Sequence, residues 1–165
     1  MALEVEDGTG KANAESYISV ADADTRQSNN GMTNWATLTT QEKEQALRRA
    51  TDYMEQAYRE SWIGFRSTMG QALSWPRWNV IVDFFPVDPT RVPPVVAHVC
   101  ADLALKAAAG DLAADLTRGV IRKKVGPIET DYDHYSPQQV RYRAIDMALA
   151  PFLKGSSSMA RLVRT

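Results

Sequence analysis

Between residues 61 and 92 the chain reads SWIGFRSTMGQALSWPRWNVIVDFFPVDPTRV. Gly64, Gly70, Pro76, Pro86 and Pro89 fall so close together that no helix or long strand can cross it. The fold must therefore be built from the elements on either side. The segment itself is either a binding loop or is packed down by its own large side chains. Its rings favour packing: Tyr58, Trp62, Phe65, Trp75, Trp78, Phe84 and Phe85 are half of the chain's 14 aromatic residues and lie within 28 positions. A short helix over 68–74 can interrupt it.

The flanking sequence is helical. Thr39 followed by Glu42 makes a capping box, and Ala46, Leu47, Ala50, Tyr53, Met54, Ala57 and Tyr58 then recur at three- and four-residue steps. This is one long amphipathic helix with Lys43, Arg48, Arg49 and Glu55 on its other side. A weaker helix over 20–28 starts at Ser19 and stops at Asn29-Asn30-Gly31. Pro93 and Pro94 suit the first turn of a helix that continues through Val99, Cys100 and Leu103 to Gly110. Val120–Val125 and Ile128–Tyr132, split by Gly126-Pro127, read as a β-hairpin or bulged ribbon. A last helix is expected over Arg141–Leu153, bent or ended by Pro151. The expected fold is mainly α, a small helical bundle with a protruding β-hairpin (119–133) and extended arms at both ends. One domain spans 1–155, with an N-terminal arm at 1–14 and a C-terminal tail at 156–165.

The usual materials of catalysis are sparse. Cys100 is the single cysteine, which excludes a disulfide framework and a four-ligand zinc site and suits a reducing cytosol. His98 and Cys100, two apart on a helix, point about 200° apart and cannot form a local dyad. Asp131, Asp133 and His134 could place carboxylates on one strand face, but a hard metal needs more ligands than the neighbourhood offers, so a solvated hairpin end is expected. Gly8-Thr9-Gly10-Lys11 resembles the end of a phosphate loop, yet Val5 stands where the first glycine belongs and Ala12 where Ser or Thr would hold magnesium. A flexible arm or tight turn is the better reading. No catalytic residue, cofactor or metal is expected, and neither an apolar stretch of membrane-spanning length nor a basic, apolar leader is present.

Charge is near balance, 20 Asp and Glu against 19 Lys and Arg, which argues weakly against a general DNA-coating protein. The balance hides a partition: residues 1–60 carry 6 basic and 11 acidic groups (−5), and 61–165 carry 13 and 9 (+4). Arg122-Lys123-Lys124 and Arg161 with Arg164 supply much of that excess. Such opposite ends suit head-to-tail association of identical subunits, though a solvated face is the plainer account. Rings interleaved with Arg66 and Arg77 are also what single-stranded nucleic acid binds, bases on rings and phosphates on guanidinium groups. The plainer account there is a core cover, because two arginines are a thin electrostatic footprint.

Several motifs in order resemble a family of bacteriophage proteins: the acidic start with Gly8-Thr9-Gly10, Ala12–Asp24, Asn34–Leu38, Glu42–Tyr53, Gln71–Arg77, Val92–Val96 and Lys124–Glu129. The family is often labelled DnaT-like single-stranded-DNA-binding proteins, and it also resembles the head-tail connectors, or adaptors, of long-tailed phages. The connector resemblance implies a homo-oligomeric ring, commonly of twelve copies, below the portal protein. By the same resemblance the ring would sit in the virion neck, be made in the host cytoplasm, touch a downstream tail or neck protein, and let DNA pass without reading it. On that resemblance Met159, Arg161, Leu162, Val163 and Arg164 would dock on the portal, and Arg122, Lys123, Lys124, Ile128 and Tyr132 would meet ring neighbours or the tail. No membrane partner is implied, and residues 79–91 match no motif. The alternative is a single-stranded-DNA-binding protein using the segment 58–85, with Trp62, Trp75, Trp78, Arg66 and Arg77 as its contacts.

Overall fold

The computed structural model describes residues 2–114, 120–125, 128–132 and 140–155, with strands 120–125 and 128–132 in backbone course only. The C-terminal tail and the five residues assigned there to portal docking lie outside the described residues.

Helix α1 (Val20–Asn29) begins where the Ser19 hydroxyl accepts the Asp22 N–H at 3.1 Å. The one-turn α2 (Thr33–Ala36) brings Trp35 into the core, its indole N–H donating to Asp24 Oδ1 at 2.6 Å. Helix α3 (Thr40–Tyr58) carries both bonds of the capping box, Glu42 N–H to Thr39 Oγ1 at 3.3 Å and Thr39 N–H to Glu42 Oε2 at 2.8 Å. Its buried face holds Ala46, Leu47, Ala50, Thr51, Met54 and Tyr58. That face packs chiefly against α4 (Pro94–Ala109), which buries Val96, Val99, Cys100, Leu103 and Ala107 and closes at Gly110. Small residues on both helices let their backbones come close. The protein is a small, mainly helical domain.

The last helix is shorter than expected. Helix α5 runs Arg143–Leu149 and then tightens into a 3₁₀ turn at Ala150–Phe152, because Pro151 has no N–H to continue an α-helical ladder. The segment 61–92 contains three features that pattern alone did not separate. No helix forms at 68–74. Instead Gln71, 2% exposed, accepts the Thr68 N–H at 2.8 Å and donates to the Leu73 and Pro76 carbonyls at 2.8 and 3.1 Å. One side chain thereby supplies the hydrogen bonds a helical turn would have made. Short strands β1 (Phe65–Arg66) and β2 (Arg77–Trp78) pair antiparallel, and β3 (Ile81–Val82) pairs with β4 (Phe85–Pro86). Strands β5 (Val120–Val125) and β6 (Ile128–Tyr132) form the expected hairpin, with an irregularity between Val120 and Arg122.

Residues 2–14 lie against the domain. Val5 bridges Ser16 in parallel, and Lys11 accepts the Ala72 N–H at 2.9 Å. Gly8, at φ +100°, sits so tightly that a Cβ would come 1.9 Å from the Thr90 carbonyl oxygen. Tyr17, Glu55 and Ser74 tie this stretch to α3 and to the irregular segment. The Tyr17 hydroxyl donates to Glu55 Oε1, and the Ser74 hydroxyl donates to Glu55 Oε2 at 2.7 Å. Burial, and then the Glu55 charge, hold the Tyr17 phenol well above its ordinary pKa.

Candidate nucleic-acid interface

Strand alternation sorts the rings and arginines of 61–92 onto opposite sides. In the β1–β2 ribbon Phe65 stands opposite Trp78 and Arg66 opposite Arg77. Neighbours along a strand face opposite ways, so the two rings share one side and the two arginines the other. Phe65 is 69% and Trp78 55% exposed, while Arg77 is 7% exposed. Facing positions in such a ribbon put side chains about 5 Å apart at Cβ, so the two rings stand on one face of the ribbon as its exposed aromatic platform.

The structure corrects most of the residue set that composition suggested for DNA contact. Trp62 and Trp75 are fully buried, meeting edge to face at 5.6 Å, and Trp75 meets Phe152 in the same way at 5.7 Å. They are core, and no base can reach them. Arg77 is a clamp: its Nε donates to the Ile63 carbonyl at 2.7 Å, one terminal nitrogen to Ser74 at 3.1 Å and the other to Gly64 at 2.7 Å. Burial, chiefly, pulls its pKa down from the ordinary value, with the nearby Arg66 charge acting in the same direction. Arg66 donates to the Gln71 carbonyl, and its Nε is buried without a partner. Of the five residues, only Trp78 presents its side chain outward. Phe65 joins it, a residue composition had counted but not singled out; the alternation of ring and arginine at 65–66 and again, reversed, at 77–78 was the available signal.

Beside the platform lies a cleft of about 570 Å3, whose walls include Arg59, Glu60, Phe65, Arg66, Arg77 and Lys154. The peptide that builds its rim is the C-terminal stretch, held to the end of α3 by Ile63 N–H to Phe152 O at 3.0 Å and Lys154 N–H to Ser61 O at 2.7 Å. Gly64 permits the sharp entry into β1: at φ +69°, a Cβ there would lie 2.2 Å from the Trp78 carbonyl oxygen.

Most described cations outside this cleft have a carboxylate in salt-bridge range. Lys11 has Asp7, Arg26 has Asp102, Lys43 has Asp24, Arg48 has Glu15 and Glu44, Arg91 has Asp88 and Arg141 has Asp146. The exceptions among the described residues are Arg49, Lys106, Arg143 and the four of the cleft. Four like charges against one carboxylate in the same wall, Glu60, leave a net positive potential that attracts anions.

The other candidates resolve differently. Cys100 is buried, with the Ser16 and Thr51 hydroxyls at 3.9 and 3.3 Å, and burial raises its thiol pKa, whereas His98 is exposed; the two form no dyad. The glycine-lysine turn already holds an anion of its own. Buried Glu6 accepts the Gly8 and Gly10 N–H groups on one oxygen and that of Lys11 on the other, each at 2.9 Å. A phosphate would have to displace a carboxylate there. The side chains of Asp131, Asp133 and His134 lie outside the described residues, as do those of Arg122, Lys123, Lys124, Ile128 and Tyr132. The backbone register sets Arg122 opposite Asp131 and Lys124 opposite Glu129, so the basic run faces acidic positions at two of its three members.

At the β3–β4 tip Asp83 and Phe84 both have positive φ, +50° and +70°. Phe84 is 98% and Phe85 75% exposed. Left-handed backbone at an aromatic residue costs about 1 kcal/mol or more, here accepted in the two-residue turn that joins β3 to β4.

A family model described as "Putative DnaT-like ssDNA binding protein" matches residues 1–165. No curated protein and no solved structure matches the chain. The match carries the DnaT-like label of the resemblance, and nothing in the comparisons links the chain to a phage head-tail connector. Matched over its full length, the chain belongs to the DnaT-like family that this model describes.

Proposed function

We propose that the protein binds single-stranded DNA on the Phe65–Trp78 platform, with phosphates drawn to the neighbouring cleft. The observation that carries this is the pairing of two outward rings, at facing positions, with a group of four cations that outnumber the one carboxylate in their cleft and form no salt bridge with any described residue. Every base has a π face, so stacking on such rings binds strand of any sequence, and bases already paired in a duplex cannot use it. The family match supports the same reading.

Tryptophan fluorescence tests it directly, because Trp35, Trp62 and Trp75 are buried and Trp78 is the exposed one. Oligo-dT should quench Trp78. Phe65→Ala and Trp78→Ala should each weaken binding by about 1–3 kcal/mol, roughly 5- to 150-fold, with the fold intact. Binding that neither substitution changes removes the platform from the account.

A second reading is the neck adaptor: a homo-oligomeric ring joining a portal to a downstream tail protein. The observation favouring it is the β3–β4 tip, where Ile81, Phe84 and Phe85 are exposed and form a surface more apolar than DNA binding requires. Under this reading the tail residues Met159, Arg161, Leu162, Val163 and Arg164 dock on the portal, and removing 156–165 leaves a folded protein without portal binding. Unchanged portal binding takes the tail out of that mechanism.

A further inference from the structure

We infer that the cleft beside the platform is a seat for a terminal phosphomonoester, so that the protein holds the phosphorylated end of a single strand. This rests on the proposed DNA reading and deepens it. Arg59, Arg66, Arg77 and Lys154 set four positive charges around the cleft against one carboxylate, Glu60, a balance of +3. A cleft of about 570 Å3, open to solvent, has room for one small group and not for a run of nucleotides. An internal phosphodiester brings a single negative charge with two free oxygens. A terminal phosphate brings nearly two charges and three acceptor oxygens, and it matches this cleft better.

The donors fit that division. Arg77 is immobilised by three carbonyls and contributes charge from below. Arg66 spends a single bond on Gln71 and keeps donors in hand. Arg59 and Lys154 are exposed at the mouth, where Lys154 Nζ donates to the Glu60 carbonyl at 2.8 Å. Phe65 is shared by the platform and the cleft wall, so a strand end with its last base on the ring has its phosphate beside the cations.

The test compares one oligo-dT sequence with a 5′-phosphate, a 3′-phosphate and free hydroxyl ends, read by anisotropy on the full chain. One phosphorylated end should bind about tenfold more tightly than the unphosphorylated strand. The preference should shrink from pH 7.5 to pH 5, as the phosphate's second ionisation near pH 6 is lost. Arg59→Gln with Lys154→Gln should abolish the preference, so that within this variant the phosphorylated and unphosphorylated strands bind equally, with the melting temperature near wild type. Equal affinity for all three strands overturns the inference and leaves the platform standing. Loss of binding to every strand in Phe65→Ala, with the preference intact in the double Gln variant, also overturns it. Inorganic phosphate and thymidine monophosphate form a further arm. Displacement of the strand by either at comparable concentration assigns the cleft to a free phosphate ligand and overturns the strand-end reading. Absence of binding to any oligonucleotide is a failure of the DNA reading itself.

Discussion

Arg77 separates two accounts of the same residue, and Arg77→Lys is the substitution that distinguishes them. As a phosphate ligand it would tolerate lysine, since the charge is kept. As a clamp it would not. The guanidinium donates to three carbonyls, of Ile63, Ser74 and Gly64, at 2.7, 3.1 and 2.7 Å, from a position 7% exposed. An ammonium is a point donor on a shorter reach and can keep about one of those bonds. Hydrogen bonds to charged groups contribute roughly 1.5–3 kcal/mol each, so losing two predicts a loss of about 3–6 kcal/mol. With a urea m-value of about 2 kcal/mol/M, the unfolding midpoint should fall by about 1.5–3 M. Binding of oligo-dT by the folded fraction should stay within a few-fold of wild type. A midpoint unchanged within about 0.3 M, or DNA affinity lost at full stability, refutes the clamp.

Phe84→Gly should raise the melting temperature by about 2–4 °C, because glycine adopts φ +70° without the aromatic's strain; a fall in scanning calorimetry means the ring packs against something. Glu6→Gln places an amide donor against one of the N–H groups the carboxylate now accepts, and should cost about 1–3 kcal/mol in urea unfolding with DNA binding unchanged. Cys100, Tyr17 and Tyr58 have raised pKa values, each chiefly through burial, so above their unfolded values near 8.5 and 10 the unfolded chain releases protons that the native state retains. Stability should therefore be full below about pH 8 and decline as pH rises beyond it, and native Cys100 should resist thiol reagents at pH 8 until urea unfolds the protein. A flat stability profile to pH 11, or rapid labelling of the native thiol, contradicts this.

The helical frame was legible because its signals are local. Thr39 and Glu42 state the start of α3 within four residues, and Pro94 and Gly110 bracket α4. The site was harder to see. Trp62, Trp75 and Trp78 are one residue type with opposite fates, and only their partners decide: Phe152 lies far along the chain, and its 3₁₀ turn completes the core around the first two. Lys154 and Arg59 are distant in sequence and meet only because residues 152–154 pair with 61–63. The turn at 68–71 needed one buried side chain, Gln71, to replace a helix, and no periodicity records that. The acid-lysine turn at 6–11 was readable as a turn, but not as one closed around its own glutamate.

Salt-dependent binding of oligo-dT and of the matching duplex to the wild-type protein tests the central claim most directly. The account predicts a micromolar or tighter single-strand complex at low salt and weaker duplex binding. The logarithm of affinity should fall against the logarithm of salt with a slope of about −1.4 to −2, corresponding to two or three phosphate contacts. No single-strand binding at low salt, or equal binding of the duplex with the Trp78 emission undisturbed, contradicts it.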